Sequence, residues 1–390
     1  MPGFDTTVVH ADQETHPTSA VARPIYQTAT FWAENATEFA RVALDHQGSE
    51  FYTRYGNPNH AQVSAVVAAL EGTERAMVTA SGMAALTTTV LALVQAGDHV
   101  IGQRSTYAGT TSLLMNLLPR LGVTTTVVDQ GDSRAFEEAL NERTRLILLE
   151  SPSNPLLELS DLRAVATLAR ANGTLTMADN TFATPINQRP ADLGIDLVWH
   201  SATKYLNGHS DVLAGVVAGP AELLDKVFAT AVITGSTLGP FDAWLLLRGL
   251  RTLPLRVRAH NAKGLAVAEA LEGQRAVTRV HYPGLASHPQ HALAREQMSG
   301  FGGVLSVDFA GGYDAADHFI SRLRYFRRAA SLGGVESLVV HPASMWSGAF
   351  DEASLEASGV SSGLVRLSVG IEDTADLVAD VLQAVESVGR

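Results

Sequence analysis

From residue 76 onward the chain alternates short apolar runs with longer segments whose apolar positions recur at helical spacing. AMVTAS (76–81) reads as a strand and GMAALTTTVLALVQAG as a helix ended at Gly97. HVIG follows as a strand and residues 110–121 as a helix. The β-branched TTTVVD (124–129) and the apolar RLILLES (145–151) read as further strands. DLRAVATLARANG is an amphipathic helix stopped by Gly173, and LTMADN, DLVWHS and VLAGVVAG supply more strand-like runs. Strands apolar on both faces, alternating with helices, predict an α/β fold with a mainly parallel sheet covered on both sides. Ligands of such sheets collect at the carboxyl ends of the strands. Ser81, Glu150, Asp179 and Ser201 each end an apolar run, so the site is expected there.

The flanks have a different texture. Residues 1–60 read as an irregular arm that includes RPIYQTATF and the aromatic, glycine-rich SEFYTRYGNPNH. Residues 61–253 hold the alternating pattern. From Pro254 a long helix, RVRAHNAKGLAVAEALEG, leads into a unit with fewer strands, among them GVLSVDFA and LVRLSVG, and a final helix from Thr374. Residues 254–390 therefore read as a smaller α+β C-terminal domain.

Composition narrows the function. At 390 residues with 46% hydrophobic side chains, the chain can bury the cores of two domains. A formal charge of −12 argues against a nucleic-acid partner. With no cysteine, disulfides and thiolate chemistry are excluded. The apolar stretches are interrupted well short of the ~18 residues a membrane span needs. MPGFDTTVVHADQETHP lacks the basic-then-apolar pattern of a signal peptide, so a cytoplasmic location is expected. His281, His288 and His291 raise the thought of a metal hydrolase. HPQH lacks a carboxylate partner and sits in a proline-containing loop, which reads better as surface histidines; no metal is expected.

One lysine stands apart. In HSATKYLNGHSD, Lys204 follows an apolar run and is flanked by Ser201 and Thr203. A partly buried lysine loses its proton more readily and becomes a carbonyl nucleophile. Short hydroxyls beside it suit phosphate oxygens. Pyridoxal 5′-phosphate (PLP) carries both an aldehyde and a phosphate, and its ring nitrogen calls for a carboxylate. Asp179, ending LTMAD, can supply that carboxylate. Ser81-Gly82-Met83 lies at a strand-to-helix turn suited to an anion, and Tyr107 can give the ring an aromatic face. Each element alone has an ordinary reading, as surface lysine, helix cap, βα turn or core aromatic. Their joint occurrence, in order, carries the inference.

With these residues, the motifs YTRYGNPN, ASGMAAL, ESPSNP, ADNTFATP, HSATKYLNGHSD, SLGGVESLVVHPASM and VRLSVGIED resemble the cysteine/methionine-metabolism family of fold-type I PLP enzymes over nearly the whole chain. The resemblance implies the type I PLP-dependent transferase fold, with a seven-stranded sheet flanked by helices. Lys204 would bond the cofactor aldehyde, and Asp179 would pair with its ring nitrogen. Gly82, Met83, Ser201 and Thr203 would hold its phosphate, Tyr107 would stack on its ring, and Asn154 would contact its phenolic oxygen. Tyr52 and Arg54 would reach the phosphate in a neighbouring subunit, which implies a homotetramer built as a dimer of dimers with shared active sites. Arg366 would grip the substrate α-carboxylate, with Ser331 assisting and Glu336 nearby. Tyr107 and Lys204 would be the catalytic pair.

The resemblance also bears on the substrate. Val335 stands before Glu336 where β-lyases of the family have an aromatic residue, which favours γ-chemistry. Ser112 stands where cystathionine γ-lyases show an arginine. Gly109 stands where methionine γ-lyases have a cysteine. The apolar Val335, Val339 and Trp346 fit an uncharged thioether. The expected reaction is methionine γ-lyase-like γ-elimination from a sulfur amino acid. The alternatives are cystathionine γ-lyase activity, or γ-replacement as in cystathionine γ-synthase or an O-acylhomoserine sulfhydrylase.

Overall fold

In the computed structural model, which describes residues 2–15, 18–45, 48–346 and 359–388, the apolar runs become strands. They are β1 (Arg75–Thr79), β2 (His99–Gln103), β3 (Thr124–Val128), β4 (Thr144–Glu150), β5 (Leu175–Asp179), β6 (Leu197–Ser201) and β7 (Gly215–Gly219). Among the described residues they form a seven-stranded sheet in the order β1-β7-β6-β5-β4-β2-β3. Only β7 runs against the others. GVVAG is as apolar as its parallel neighbours, so its sequence does not betray the reversal. The reason lies before it: residues 202–214 form turns rather than the helix a parallel crossover needs.

Alternation along β4 shows how the layers are held. Leu146 and Leu148 face α4 (Gly82–Leu93), packing with Leu86 and Val90, whereas Ile147 and Leu149 meet the helix Leu162–Ala171 through Leu162 and Val165. The ends of β4 and β5 are level, with Glu150 opposite Asp179, while β6 runs two residues further, from Trp199 opposite Asp179 to Ser201. Strand order turns back between β2 and β4, which opens the crevice where α/β sheets bind ligands.

The first sixty residues are not irregular throughout. They contain α1 (Phe4–His10) and α2 (Ala36–Leu44), and α3 (Pro58–Glu71) begins within them. Asn35 caps α2 by accepting from the Glu38 amide, and Pro58 starts α3 where no amide donor is required. The fully buried Asp12 pairs with Arg23 within this segment and with Arg251, at the end of the helix Pro240–Leu250, both at 2.7 Å, and the second pair ties the segment to the large domain.

A second sheet holds β8 (Val277–His281), β9 (Val304–Phe309), β10 (Arg327–Arg328), β11 (Leu338–Val340) and β12 (Leu364–Ser368) in the order β10-β11-β12-β9-β8. On β12, Val365 and Leu367 pack against the helices Leu253–Leu271 and Thr374–Glu386. The two-residue period turns Arg366 to the opposite face, towards the large sheet. Among the described residues no helix is long and apolar enough to cross a membrane, and no cluster of side chains could hold a metal ion. His281 bonds Asp308 at 2.6 Å, and His291 contacts the Pro283 carbonyl.

Candidate active site

These neighbouring strand ends form the floor of a cavity of about 410 Å³. Ser81 accepts from the Ala84 amide and so starts α4 directly above this floor. A side chain at Gly82 would bring its Cβ within 2.8 Å of the Ser201 Cα, so glycine alone lets the end of β6 and the start of α4 converge. Gly82 at the start of α4 and the hydroxyl residues Ser201 and Thr203 thus line one cavity. Met83 and Tyr107 line the same wall. Tyr107 is 51% exposed, with its backbone fixed but its ring at the cavity mouth.

Lys204 sits in the turn after β6, and this turn is stapled from below. Arg256, on the helix Leu253–Leu271, donates to the carbonyls of Tyr205 and Gly249, both at 2.7 Å. Thr203 exchanges hydrogen bonds with Ala214 across the turn. The Lys204 Nζ donates to Ser331 Oγ at 2.8 Å. Burial, aided by the Arg366 charge, lowers the lysine to about 8. Ser331 holds a φ of +116°, a region a serine seldom occupies, and is pinned there from both sides by Lys204 and Arg366.

Arg366 enters from the second sheet. Its two terminal nitrogens donate to Asn154 Oδ1 and to the Ser331 carbonyl, both at 2.9 Å, while its buried Nε has no partner among the described residues. These hydrogen-bond partners are neutral, so the guanidinium retains full appetite for an incoming carboxylate. Burial lowers it to about 10, leaving it charged at neutral pH. Across the floor, burial pushes the carboxyl of Asp179 up, although the amide and hydroxyl of Thr181 and the charge of His200 pull it down. Glu150, beside it, is also raised, by burial and then by Asp179.

The whole chain from residue 5 to 386 matches the family described as Cys/Met metabolism PLP-dependent enzyme. The chain belongs to that family. It is 43% identical to an L-methionine γ-lyase of Pseudomonas putida over 99% of this chain and 98% of that one. It is 41% identical to an O-succinylhomoserine sulfhydrylase of Pseudomonas aeruginosa, covering 99% and 96% of the two chains. The crystal structure of a cystathionine γ-synthase from Xanthomonas oryzae pv. oryzae, in complex with aminoacrylate and cysteine, superposes with a TM-score of 0.93 at 40% identity, covering both chains fully.

The cofactor of this Cys/Met metabolism enzyme is PLP, and the cavity suits it. The Gly82 approach leaves room for a phosphate that a Cβ would fill, Lys204 is a low-pKa amine, and a cationic ring nitrogen would offset the burial of Asp179. Gly82, Met83, Tyr107, Asn154, Asp179, Ser201, Thr203, Lys204, Ser331 and Arg366 all line this one cavity. Three other residues from the sequence reading lie elsewhere. Glu336 accepts from Ser210 Oγ in an adjoining hollow that shares Thr203 and Ser331 with the cavity. Arg54 donates to the Val232 carbonyl at 3.1 Å and lies over the rings of Tyr52 and Tyr55, on the outer surface.

The structure adds residues that sequence reasoning did not single out. Thr181 donates its amide to Asp179 and accepts from the Ser201 amide, each at 2.9 Å, thereby locking β5 to β6 at the floor. Its place two residues beyond a strand-ending aspartate was the available signal. Phe182 and Trp199 add apolar lining, and nothing in their spacing marks them out. Glu150 was visible only as one more polar strand end.

Proposed function

We propose that this enzyme performs methionine γ-lyase-type elimination, converting an uncharged sulfur amino acid and water to a thiol, 2-oxobutanoate and ammonia. The carrying observation is the pairing of Arg366, a carboxylate site, with an outer wall of Phe182, Leu213, Leu332, Met345 and Trp346. That wall holds no cation among the described residues, so it accommodates a thioether and leaves a second carboxylate unpaired. The identity to an L-methionine γ-lyase supports the same reading.

PLP, when bound, supplies an electron sink for the substrate α-carbon. Arg366, held by Asn154 and the Ser331 carbonyl, orients the substrate through its carboxylate. Lys204, neutral in a large fraction near pH 8, would take the α-proton, pass it on to the cofactor side, and, neutral again, take a β-proton. Ser331 Oγ steers that amine. Tyr107, its phenol at the mouth, donates a proton to the departing sulfur. Gly82, Met83, Ser201 and Thr203 would hold the phosphate, and Asp179 would hold the ring nitrogen.

We also infer a homotetramer assembled as a dimer of dimers. Tyr52 and Arg54 lie outside their own cavity, on a surface from which Val21, Trp32 and Ile233 project with 99%, 83% and 87% exposure. In this division residues 1–60 serve a neighbour's site, 61–253 bind PLP, and 254–390 bring the substrate's carboxylate partner.

Similarity to a sulfhydrylase and a γ-synthase keeps γ-replacement as the second reading. The test incubates the PLP-loaded enzyme separately with methionine, with cystathionine, and with O-acylhomoserine plus cysteine, and identifies products by mass. Methanethiol and 2-oxobutanoate from methionine are expected. A thioether formed only in the last mixture would replace elimination by γ-replacement.

A further inference from the structure

Glu150 ends β4 at the point where the strand order turns back, in the crevice between β2 and β4. It is only 4% exposed, and among the described residues it makes no ion pair. Instead each of its oxygens accepts from a backbone amide. Oε2 takes the Tyr107 N–H at 2.8 Å and Oε1 takes the Asn154 N–H at 2.9 Å. Its own backbone is fixed by Gln103, which receives the Glu150 N–H at 3.0 Å and donates to the Glu150 carbonyl at 2.8 Å. One carboxylate thus joins two loops that never meet in sequence: the one that presents the Tyr107 ring and the one that presents the Asn154 amide to Arg366.

A carboxylate is a costly choice for this joint. Burial and the neighbouring Asp179 both oppose its charge, and Arg366 with the two amides only partly compensate. A neutral side chain that merely packed would avoid the opposition. A glutamine would fill the same space, yet its amide nitrogen cannot accept, so it would leave one of the two loops unheld.

From this geometry we infer that Glu150 is a positioning residue: it sets the Tyr107 ring over the cofactor and, through Asn154, aims Arg366 at the substrate carboxylate. The inference rests on the reading of the cavity as an amino-acid site. It does not depend on which sulfur substrate is turned over. It predicts that losing one carboxylate oxygen damages ligand binding and ring seating together, without loosening the fold.

The experiment compares the PLP-loaded wild type with Glu150→Gln and uses glycine as an unreactive amino acid. Glycine affinity is read from the change in the visible absorbance of the bound cofactor. Ring seating is read from the visible circular dichroism of the same band. Glu150→Gln is expected to weaken glycine roughly tenfold, the scale of one charge-assisted hydrogen bond, and to reduce the dichroic signal. The cofactor-free variant should keep the wild-type melting temperature.

Action through Asn154 has its own readout. In an Asn154→Ala background the link to Arg366 is already cut, so Glu150→Gln should add well under its single-variant loss of glycine affinity. Additive losses, or unchanged glycine affinity and dichroism in Glu150→Gln, would overturn the proposal. Failure of glycine to bind the wild type would instead indict the assignment of the cavity. Should Glu150→Gln not accumulate as folded protein, Glu150→Asp serves: it keeps the charge and shortens the reach by one methylene, and it must show the same paired loss.

Discussion

The most discriminating prediction concerns the proton on Lys204. Burial first, and the Arg366 guanidinium second, hold this amine near 8 instead of the usual 10.5. At pH 7 an amine with a pKa of about 8 is roughly 10% neutral, whereas an ordinary lysine is about 0.04% neutral, a difference of roughly 250-fold. Only the neutral amine attacks an aldehyde, so this ratio becomes a rate advantage in taking up PLP. The assay is reconstitution of cofactor-free protein with excess PLP, followed as growth of the visible absorbance band from pH 6 to 10. A parallel series with Nα-acetyl-lysine corrects for the titration of the aldehyde itself. The corrected rate should rise about tenfold per pH unit and flatten above pH 8. Arg366→Met, which removes a positive neighbour, should move the flattening to higher pH. A rate that keeps climbing through pH 10 would refute the reasoning, because Lys204 would then behave as a solvated surface amine. The same shift has a stability consequence of definite sign. Between about pH 8 and 10.5 the unfolded chain binds more protons at this residue than the folded one, so the cofactor-free protein should gain stability as pH rises through that window.

Three further outcomes check other parts of the structure. Arg256→Met should lower stability by about 3 kcal/mol, since it strands the buried carbonyls of Tyr205 and Gly249, and urea denaturation with a PLP-retention assay would register both the loss and the loosened lysine turn. Asp12→Asn should cost about 3 kcal/mol at pH 7 because Arg23 and Arg251 lose their shared counter-charge. Burial opposes that carboxylate, but the two arginines hold it below its usual range. Its contribution is therefore complete above pH 4 and fades as pH falls through the lowered value, and the gap between variant and wild type in denaturation curves should close there. Arg54→Ala removes an exposed bond to the Val232 carbonyl and contacts with the Tyr52 and Tyr55 rings, so the chain should stay within ~1 kcal/mol of wild-type stability. It should nevertheless release PLP faster on dialysis, and wild-type retention would argue against a site shared between subunits.

Much of this was legible because parallel sheets write themselves plainly. Central strands such as LILLE are apolar on both faces, and each ends on a polar residue at the one edge where ligands gather. Lys204 and Asp179 declared themselves by chemistry at those ends. Periodicity could not reveal the reversal of β7, because direction depends on the connection and not on the strand. Nor did the polar texture of the first sixty residues show their helices: α1 and α2 are short, seven and nine residues, and α2 buries none of its side chains.

Phe182 and Trp199 aside, which line the cavity, the residues that escaped sequence reasoning act on backbone, not on ligand. Thr181 binds the Ser201 amide, Arg256 binds the carbonyls of the lysine turn, and Glu150 binds the amides of Tyr107 and Asn154. A side chain that meets a ligand must have the right chemistry, and that chemistry can be read from residue type. A side chain that holds backbone needs only a donor or acceptor at the right place, and any polar residue near a strand end could qualify. Its identity becomes informative once the fold shows what it bridges. Glu150 and Asp179 look alike in the sequence, as acids closing apolar strands directly opposite one another. Both line the cavity; the difference is that Asp179 accepts from the Thr181 amide beside it, whereas the two oxygens of Glu150 are committed to two separate loops. On the proposed reading, that commitment separates the carboxylate that would partner the cofactor from one that keeps the walls around it in place.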